Sequence, residues 1–262
     1  MTHRRWLELD GVVNMRDLGG LPTRDGGRTA YGRLIRSYNL QDLSGRDIEV
    51  LVEQVGVTDI LDLRTETELH AEGPGPLWQV AGLTHHHHSV MDRLGAASTA
   101  SAGRDALAVS EASAPTVVRD ATFWADHYAG YLDRRADAVS AALGVIAASH
   151  GATVVHCAAG KDRTGTVVAL ALDTAGVEHE AIIEDYALTS ERLERIIERL
   201  RSTETYAPAL RTQVLADQLP RPETMASILA MLHEQHGGGG PWLRAQGWSA
   251  DDVGRLRHKL VS

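Results

Sequence analysis

Apolar positions along the chain fall into two spacings. Ile48, Leu51, Val52 and Val55 recur at the three-to-four-residue period of one helix face before Gly56. Ser44-Gly-Arg-Asp47 just ahead has the form of a capping box, so the pattern predicts a helix of about three turns there. The runs VTDILDL at 57–63 and TVVH at 153–156 are instead short, continuous and apolar, and each follows a helical pattern and a glycine. Strands buried on both faces of a parallel sheet read this way. Upstream, residues 12–35 read as short strands about tight turns, with RDGGR at 24–28 as a hairpin signal and GRLIRS at 32–37 as a strand.

Helical spacing returns at 121–135, where Phe123, Trp124, His127, Tyr128 and Tyr131 share a face that reads as core packing. Ala138, Ala142, Val145 and Ile146 continue it to a turn at His150-Gly151. Beyond 156 the pattern predicts helices over 164–175, 178–188, 190–201 and 222–235, the last stopped by Gly237. A final helix starts at Ser249, whose pairing with Asp252 repeats the capping box and which buries Val253, Leu256 and Leu260. The Ala/Ser-rich stretch 95–118 reads as a surface loop or frayed helix, and 237–240 as a flexible link. Strands alternating with helices give an α/β fold, a central and mainly parallel sheet flanked by helices with extra helices at the C-terminal end, expected as one domain over 1–262.

Composition narrows the functions open to such a fold. With 43% hydrophobic and 23% charged residues in 262, the chain has globular composition and enough length for a sizeable core. Its apolar runs fall well short of the roughly 20 residues of a membrane span, and MTHRRWLELDG lacks the apolar centre of a secretory signal. A cytoplasmic protein without integral membrane association is expected. A formal charge of −9 argues against nucleic acid gripped through a whole basic face, so any anionic ligand must be held locally. A single cysteine, Cys157, excludes an internal disulfide, a multi-cysteine zinc site and a resolving thiol.

That cysteine sits in VVHCAAGKDRTGTVVALAL at 154–172, between an apolar strand and an apolar helix, with five residues separating it from Arg163. A loop wrapped over Ala158, Ala159, Gly160, Lys161 and Asp162 can turn successive backbone N–H groups toward one anion, with the positive end of the next helix at the same point. The same field favours a thiolate at Cys157. Arg163 supplies a planar fork for two phosphoryl oxygens, and Thr164 a hydroxyl for the departing sulfur. The leaving oxygen needs a proton, for which Asp162 is the first candidate and Asp92 the second; a helix cap and a solvated loop residue are the plain alternatives. The loop is not that of nucleotide triphosphatases, since Val155 stands where the first glycine is required and Asp162 where Ser or Thr should follow the lysine.

The segment His156-Cys157-Ala-Ala-Gly160-Lys161-Asp162-Arg163-Thr164-Gly165 resembles the signature loop of protein tyrosine and dual-specificity phosphatases, in particular their bacterial branch. NMRDLGG at 14–20, Ile35-Arg36-Ser37 and DLRTETE at 62–68 extend the resemblance through most of the chain. It implies activity on phosphotyrosine, often with phosphoserine or phosphoinositides, through a phosphocysteine intermediate and without metal or other cofactor. The partners implied are a phosphorylated protein or phosphoinositide substrate and inorganic phosphate as product. The Lys161-Asp162 pair is similar to loops of inositol-lipid phosphatases, and residues 190–236 match a helical lid. Ala158 in place of an aromatic residue, and an Ala/Ser-rich rather than acidic segment after Asp92, depart from the branch at positions that shape substrate preference.

Arg16 either braces the entry strands or reaches the phosphate pocket. Arg64, beyond a predicted strand, either helps bind substrate or pairs with Glu68 one turn later. His85 to His88 invite a metal, but strand alternation leaves two imidazoles per face where a catalytic zinc site has about three protein ligands. His156 reads as orienting the loop. Two other functions fit the same loop: a phospho-ligand binding module, which would lack the nucleophile or acid, and sulfur transfer, which an assay with thiosulfate separates.

Overall fold

The computed structural model describes residues 5–91, 120–211 and 214–261. Asp92 and the 95–118 stretch lie outside the described residues. Five strands form the sheet: β1 (Arg16–Asp17), β2 (Leu34–Ser37), β3 (Val57–Asp62), β4 (Thr84–His87) and β5 (Ala152–His156). Their spatial order is β1-β2-β5-β3-β4, antiparallel between β1 and β2 and parallel elsewhere. The central strand β5 is buried along its whole length, which is why its sequence is continuously apolar. Val154, beside Ile35 and Ile60, packs into a core with Leu193, Ile196 and Tyr206. Val155 points to the opposite face, into a core with Leu61, Leu143, Val167 and Leu172.

The helix that starts at Ser44 does so through the expected capping box: α1 (Gly45–Glu49) continues as a π-helical turn, Val50–Val55, and ends on Gly56. A second capping box, Thr65 with Glu68, opens α2 (Glu66–Glu72), a helix the apolar spacing did not predict because only Leu69 and Ala71 of its seven residues are apolar. Before the loop come α3 (Ala121–Arg134) and α4 (Ala136–Ala148). After it come α5 (Asp162–Ala175), α6 (His179–Ala187), α7 (Leu193–Arg201), α8 (Ala207–Leu210), α9 (Pro222–His236), α10 (Gly239–Ala245) and α11 (Ala250–Leu260). The helix predicted over 190–201 begins three residues later, behind a 3₁₀ segment at Leu188–Arg192.

RDGGR makes the expected hairpin turn, its short arms paired antiparallel at Pro22 and Arg28 and through Thr23 N–H to Gly27 O at 3.0 Å and Thr29 N–H to Leu21 O at 2.9 Å. One reading is corrected. The glycine run 237–240 is no loose link: Gly237 ends α9 with φ 83° and Gly239 opens α10. Every residue of α5 is buried, because the helix lies against the sheet with α3, α4, α6, α10 and α11 packed around it. Among the described residues, no helix is long and apolar enough to cross a membrane.

Candidate active site

The register places Ser37, His156 and Asp62 side by side at the carboxyl edge of the sheet. Ligands of open α/β sheets bind beyond that edge. Cys157 follows His156 directly, and the chain turns back at Gly160 to enter α5 at Asp162. Gly160 has φ 64°, and a Cβ there would lie 2.3 Å from Ser37 O, so only glycine fits. The turn directs the Gly160 N–H at Cys157 Sγ, 3.3 Å away. The sulfur is nearly closed off, with Cys157 1% exposed.

The loop is braced from β1 and β2. Gly160 O accepts Arg36 Nη2 at 2.9 Å and Asn14 Nδ2 at 3.5 Å. Arg36 Nη1 donates to Asp185 Oδ2 at 2.7 Å, and Arg16 Nε donates to Asp185 Oδ1 at 3.0 Å. Arg5 adds a third guanidinium to the same carboxylate. Burial alone would raise the Asp185 carboxyl, but Arg16, Arg36 and Arg5 outweigh it and hold it well below the usual carboxylate range. Arg16 therefore lies one carboxylate behind the loop, with its Nη1 on Asn14 Oδ1 at 2.7 Å and its Nη2 on Thr189 Oγ1 at 3.1 Å.

Arg163, in the first turn of α5, is gripped by Glu68 of α2. Nη1 donates to Oε2 at 2.6 Å and Nη2 to Oε1 at 2.9 Å, and both side chains are buried. Burial pushes the Glu68 carboxyl up, but the guanidinium more than reverses this and leaves it lowered. The Arg64–Glu68 pair read from helical spacing does not form. Arg64 instead turns back on Asp62, with Nη2 on Oδ2 at 2.6 Å, and also donates to Gly73 O at 3.0 Å. Helical spacing misled there because Arg64 precedes the helix that holds Glu68. His156 lies 3.8 Å from Asp62 Oδ2, and burial above all lowers it to about 4, so the ring is neutral near pH 7.

Asp162 heads α5 and accepts a hydrogen bond from the Tyr128 hydroxyl, itself 2.9 Å from the Tyr186 hydroxyl. Burial first, then the charge of Asp162, raises Tyr128 well above its ordinary value, which keeps its proton in place. Lys161 Nζ donates to Gln218 O at 2.8 Å and lies 4.8 Å from the centre of the Trp124 ring. The Trp124 indole N–H in turn donates to Asp217 O at 3.0 Å. The aromatic stripe of α3 is core packing, and two of its members also touch the loop. Thr164 is fully buried, and its Oγ1 has no hydrogen-bond partner among the described residues, Cys157 Sγ included. Ala158 and Ala159 are buried beneath the turn, Ala158 O accepting from Asn39 N–H at 3.1 Å.

The histidine run on β4 is dispersed. His85 Nε2 meets Leu77 O at 3.1 Å, His86 Nε2 meets Asp59 Oδ1 at 2.8 Å and His87 Nε2 meets Arg64 O at 2.8 Å. Sequence reading missed Glu68, Tyr128, Asn14, Arg36 and Asp185 as supports of the loop. Asn14 and Arg36 lie in segments that carry the family resemblance, and the capping box Thr65-x-x-Glu68 is a local signal of a helix start, not of a partner 95 residues away.

A thiol-bearing loop at the carboxyl edge of a mainly parallel sheet, followed by an arginine in the first turn of a buried helix, defines the class of protein-tyrosine-phosphatase-like hydrolases. Residues 7–262 match the Tyrosine phosphatase family, and the chain belongs to it. It is 28% identical to the triple specificity protein phosphatase PtpB of Mycobacterium tuberculosis, over 97% of this chain and 98% of that one. It is also 35% identical to a tyrosine-protein phosphatase of Nostoc commune, over 44% of this chain and 41% of that one.

Proposed function

We propose that this phosphatase hydrolyses phosphate monoesters on phosphotyrosine, and also on phosphoserine or phosphothreonine and phosphoinositides, through a phosphocysteine intermediate. The observation that carries the reading is the Gly160 N–H aimed at Cys157 Sγ from inside a loop that ends on Arg163. Cys157 attacks phosphorus as the thiolate, forming the S–P bond while the ester P–O bond breaks. Arg163 steadies the equatorial oxygens of the transferring group, with its plane set by Glu68. Asp162 gives its proton to the leaving oxygen, and the Tyr128 hydroxyl donates to the carboxylate that results. Asp92 is the second candidate for that acid. Water then gives a proton to the Asp162 carboxylate and attacks phosphorus, and the S–P bond breaks to release inorganic phosphate and restore the thiolate. No metal or cofactor takes part.

The breadth of substrate rests on likeness to a relative named for triple specificity and on Lys161, a cation within the loop. In this reading the elements beside the loop part for substrate to enter. The 3₁₀ turn Leu215–Gln218 and the region 190–236 around it are the lid in this reading, latched through Lys161. The whole chain acts as one phosphatase domain. Cys157→Ser is expected to abolish turnover of a phosphotyrosine peptide while the circular dichroism spectrum and peptide binding persist. Turnover at the wild-type rate in that variant removes Cys157 from the mechanism. Parallel assays on phosphoserine peptides and phosphoinositides test the wider range.

A further inference from the structure

Outside the loop, three side chains from three helices bring ligand-type atoms to one point. Asp173 lies in the last turn of α5, His179 opens α6 and His233 lies in the last turn of α9. Asp173 Oδ1 is 3.0 Å from His179 Nε2 and 2.9 Å from His233 Nε2, and the two Nε2 atoms are 3.1 Å apart.

Hydrogen bonding does not account for this triangle. A neutral imidazole carries one N–H, so in a bond between the two Nε2 atoms one donates and the other accepts. The acceptor then has no hydrogen at Nε2 for Asp173, and the donor must divide one hydrogen between two partners. If both Nε2 atoms are protonated to serve Asp173, their N–H groups oppose each other at close range. One cation capping the triangle, out of its plane, satisfies all three atoms, because each then presents a lone pair to it. For ligand bonds of about 2.0–2.2 Å, the edges of a tetrahedral site are about 3.3–3.6 Å, and the triangle here is a slightly compressed version of that face.

The surroundings fit the same use. Asp173 is buried, and its Oδ2 accepts Gly239 N–H at 2.7 Å, which fixes the carboxylate with Oδ1 turned to the imidazoles. A Cβ at Gly238 would come within 3.0 Å of His233 Cε1, 3.1 Å of His233 Nε2 and 3.2 Å of Asp173 Oδ2, so the glycine run leaves open a space that any side chain would crowd. Both imidazoles are about one-third exposed, which leaves room for a water as fourth ligand. Arg24 is a positive neighbour: its Nη1 lies 3.2 Å from Asp173 Oδ1, and it also donates to Val177 O and Asp173 O. Its side chain is 46% exposed and can release Oδ1 while keeping the two carbonyl bonds.

We propose that Asp173, His179 and His233 bind one divalent transition-metal ion, with zinc favoured by the two imidazoles and one carboxylate. The ion fastens α6 and α9 to the far end of the helix that begins with the phosphate-loop arginine. Its role is structural, and the phosphatase chemistry runs without it.

The test uses full-length, tag-free protein carrying Cys157→Ser, which removes the competing thiol. After treatment with EDTA, Zn²⁺ titration by calorimetry is expected to show one tight equivalent, and the melting temperature is expected to rise with added Zn²⁺. His233→Ala and Asp173→Asn should each weaken that binding at least tenfold, while His86→Ala leaves it unchanged. Should the first two variants fail to fold, anomalous diffraction at the zinc edge from crystals of the unsubstituted protein locates the ion directly. No tight equivalent, affinity unaltered in His233→Ala, or an ion found only on the His85–His88 run would each overturn the proposal.

Discussion

Arg163 is held by Glu68 before any substrate arrives, so much of the cost of orienting it is met by the fold. Removing Glu68 leaves a buried guanidinium without its carboxylate, a change that typically costs about 3–5 kcal/mol. Glu68→Ala is expected to lose stability of that order in urea unfolding and to lower kcat/KM, while Glu68→Gln, which keeps one acceptor, loses less of both. His156 carries the clearest pH signature. Its ring is held to about 4 in the fold against 6.5 when unfolded. Between those values the unfolded chain binds the extra proton, so stability is full above the upper value and falls as pH drops through the window, by up to about 3 kcal/mol. Urea unfolding at intervals from pH 7 to 4 should show that decline, with a shallower slope in His156→Gln. The buried carboxylates of Asp62 and Asp185 are depressed, so their contributions are lost only at lower pH.

The phosphate loop is an element whose shape is imposed from its neighbours. Its five residues contain one internal contact to sulfur, and its turn is held by Arg36 and Asn14 through Gly160 O. Arg36 and Arg16 share Asp185, which comes from α6 on the far side of the loop. Asp185→Asn is therefore predicted to destabilise the fold by about 3 kcal/mol or more, since it leaves buried guanidinium charge unbalanced. Under conditions where the variant is still folded, kcat should fall, because Arg36 no longer has a fixed seat. A stable, fully active Asp185→Asn protein would show that the loop keeps its form without this brace.

At the scale of the whole molecule, the lid proposed above makes access part of the activity. Lys161 is tied to Gln218, and Trp124 to both Lys161 and Asp217, so α3 and the 215–218 turn are latched together over the loop. Trp124→Leu removes two of those ties while keeping an apolar side chain. Alkylation of Cys157 by iodoacetamide is expected to be slow in the wild-type protein, limited by opening, and faster in Trp124→Leu. Equal rates in the two would place the barrier to entry elsewhere.

Local chemistry carried the strands, most of the helices and the Cys157–Arg163 loop, because periodicity, capping boxes and a turn glycine act over a few residues. Ser44, Ser249 and Gly160 each do in the structure what their neighbours in the chain demand. The same locality limited the reading. Helical spacing paired Arg64 with Glu68, whereas chain reversal gives Glu68 to Arg163 and Arg64 to Asp62. A glycine run read as slack chain became a helix junction beside Asp173, and two histidines 54 residues apart came into contact while three of four consecutive ones took separate partners. Sequence alone determined which residues could carry the chemistry. Only tertiary structure decided which charges neutralise one another, since buried ions must find partners and those partners are set by helix packing across the sheet.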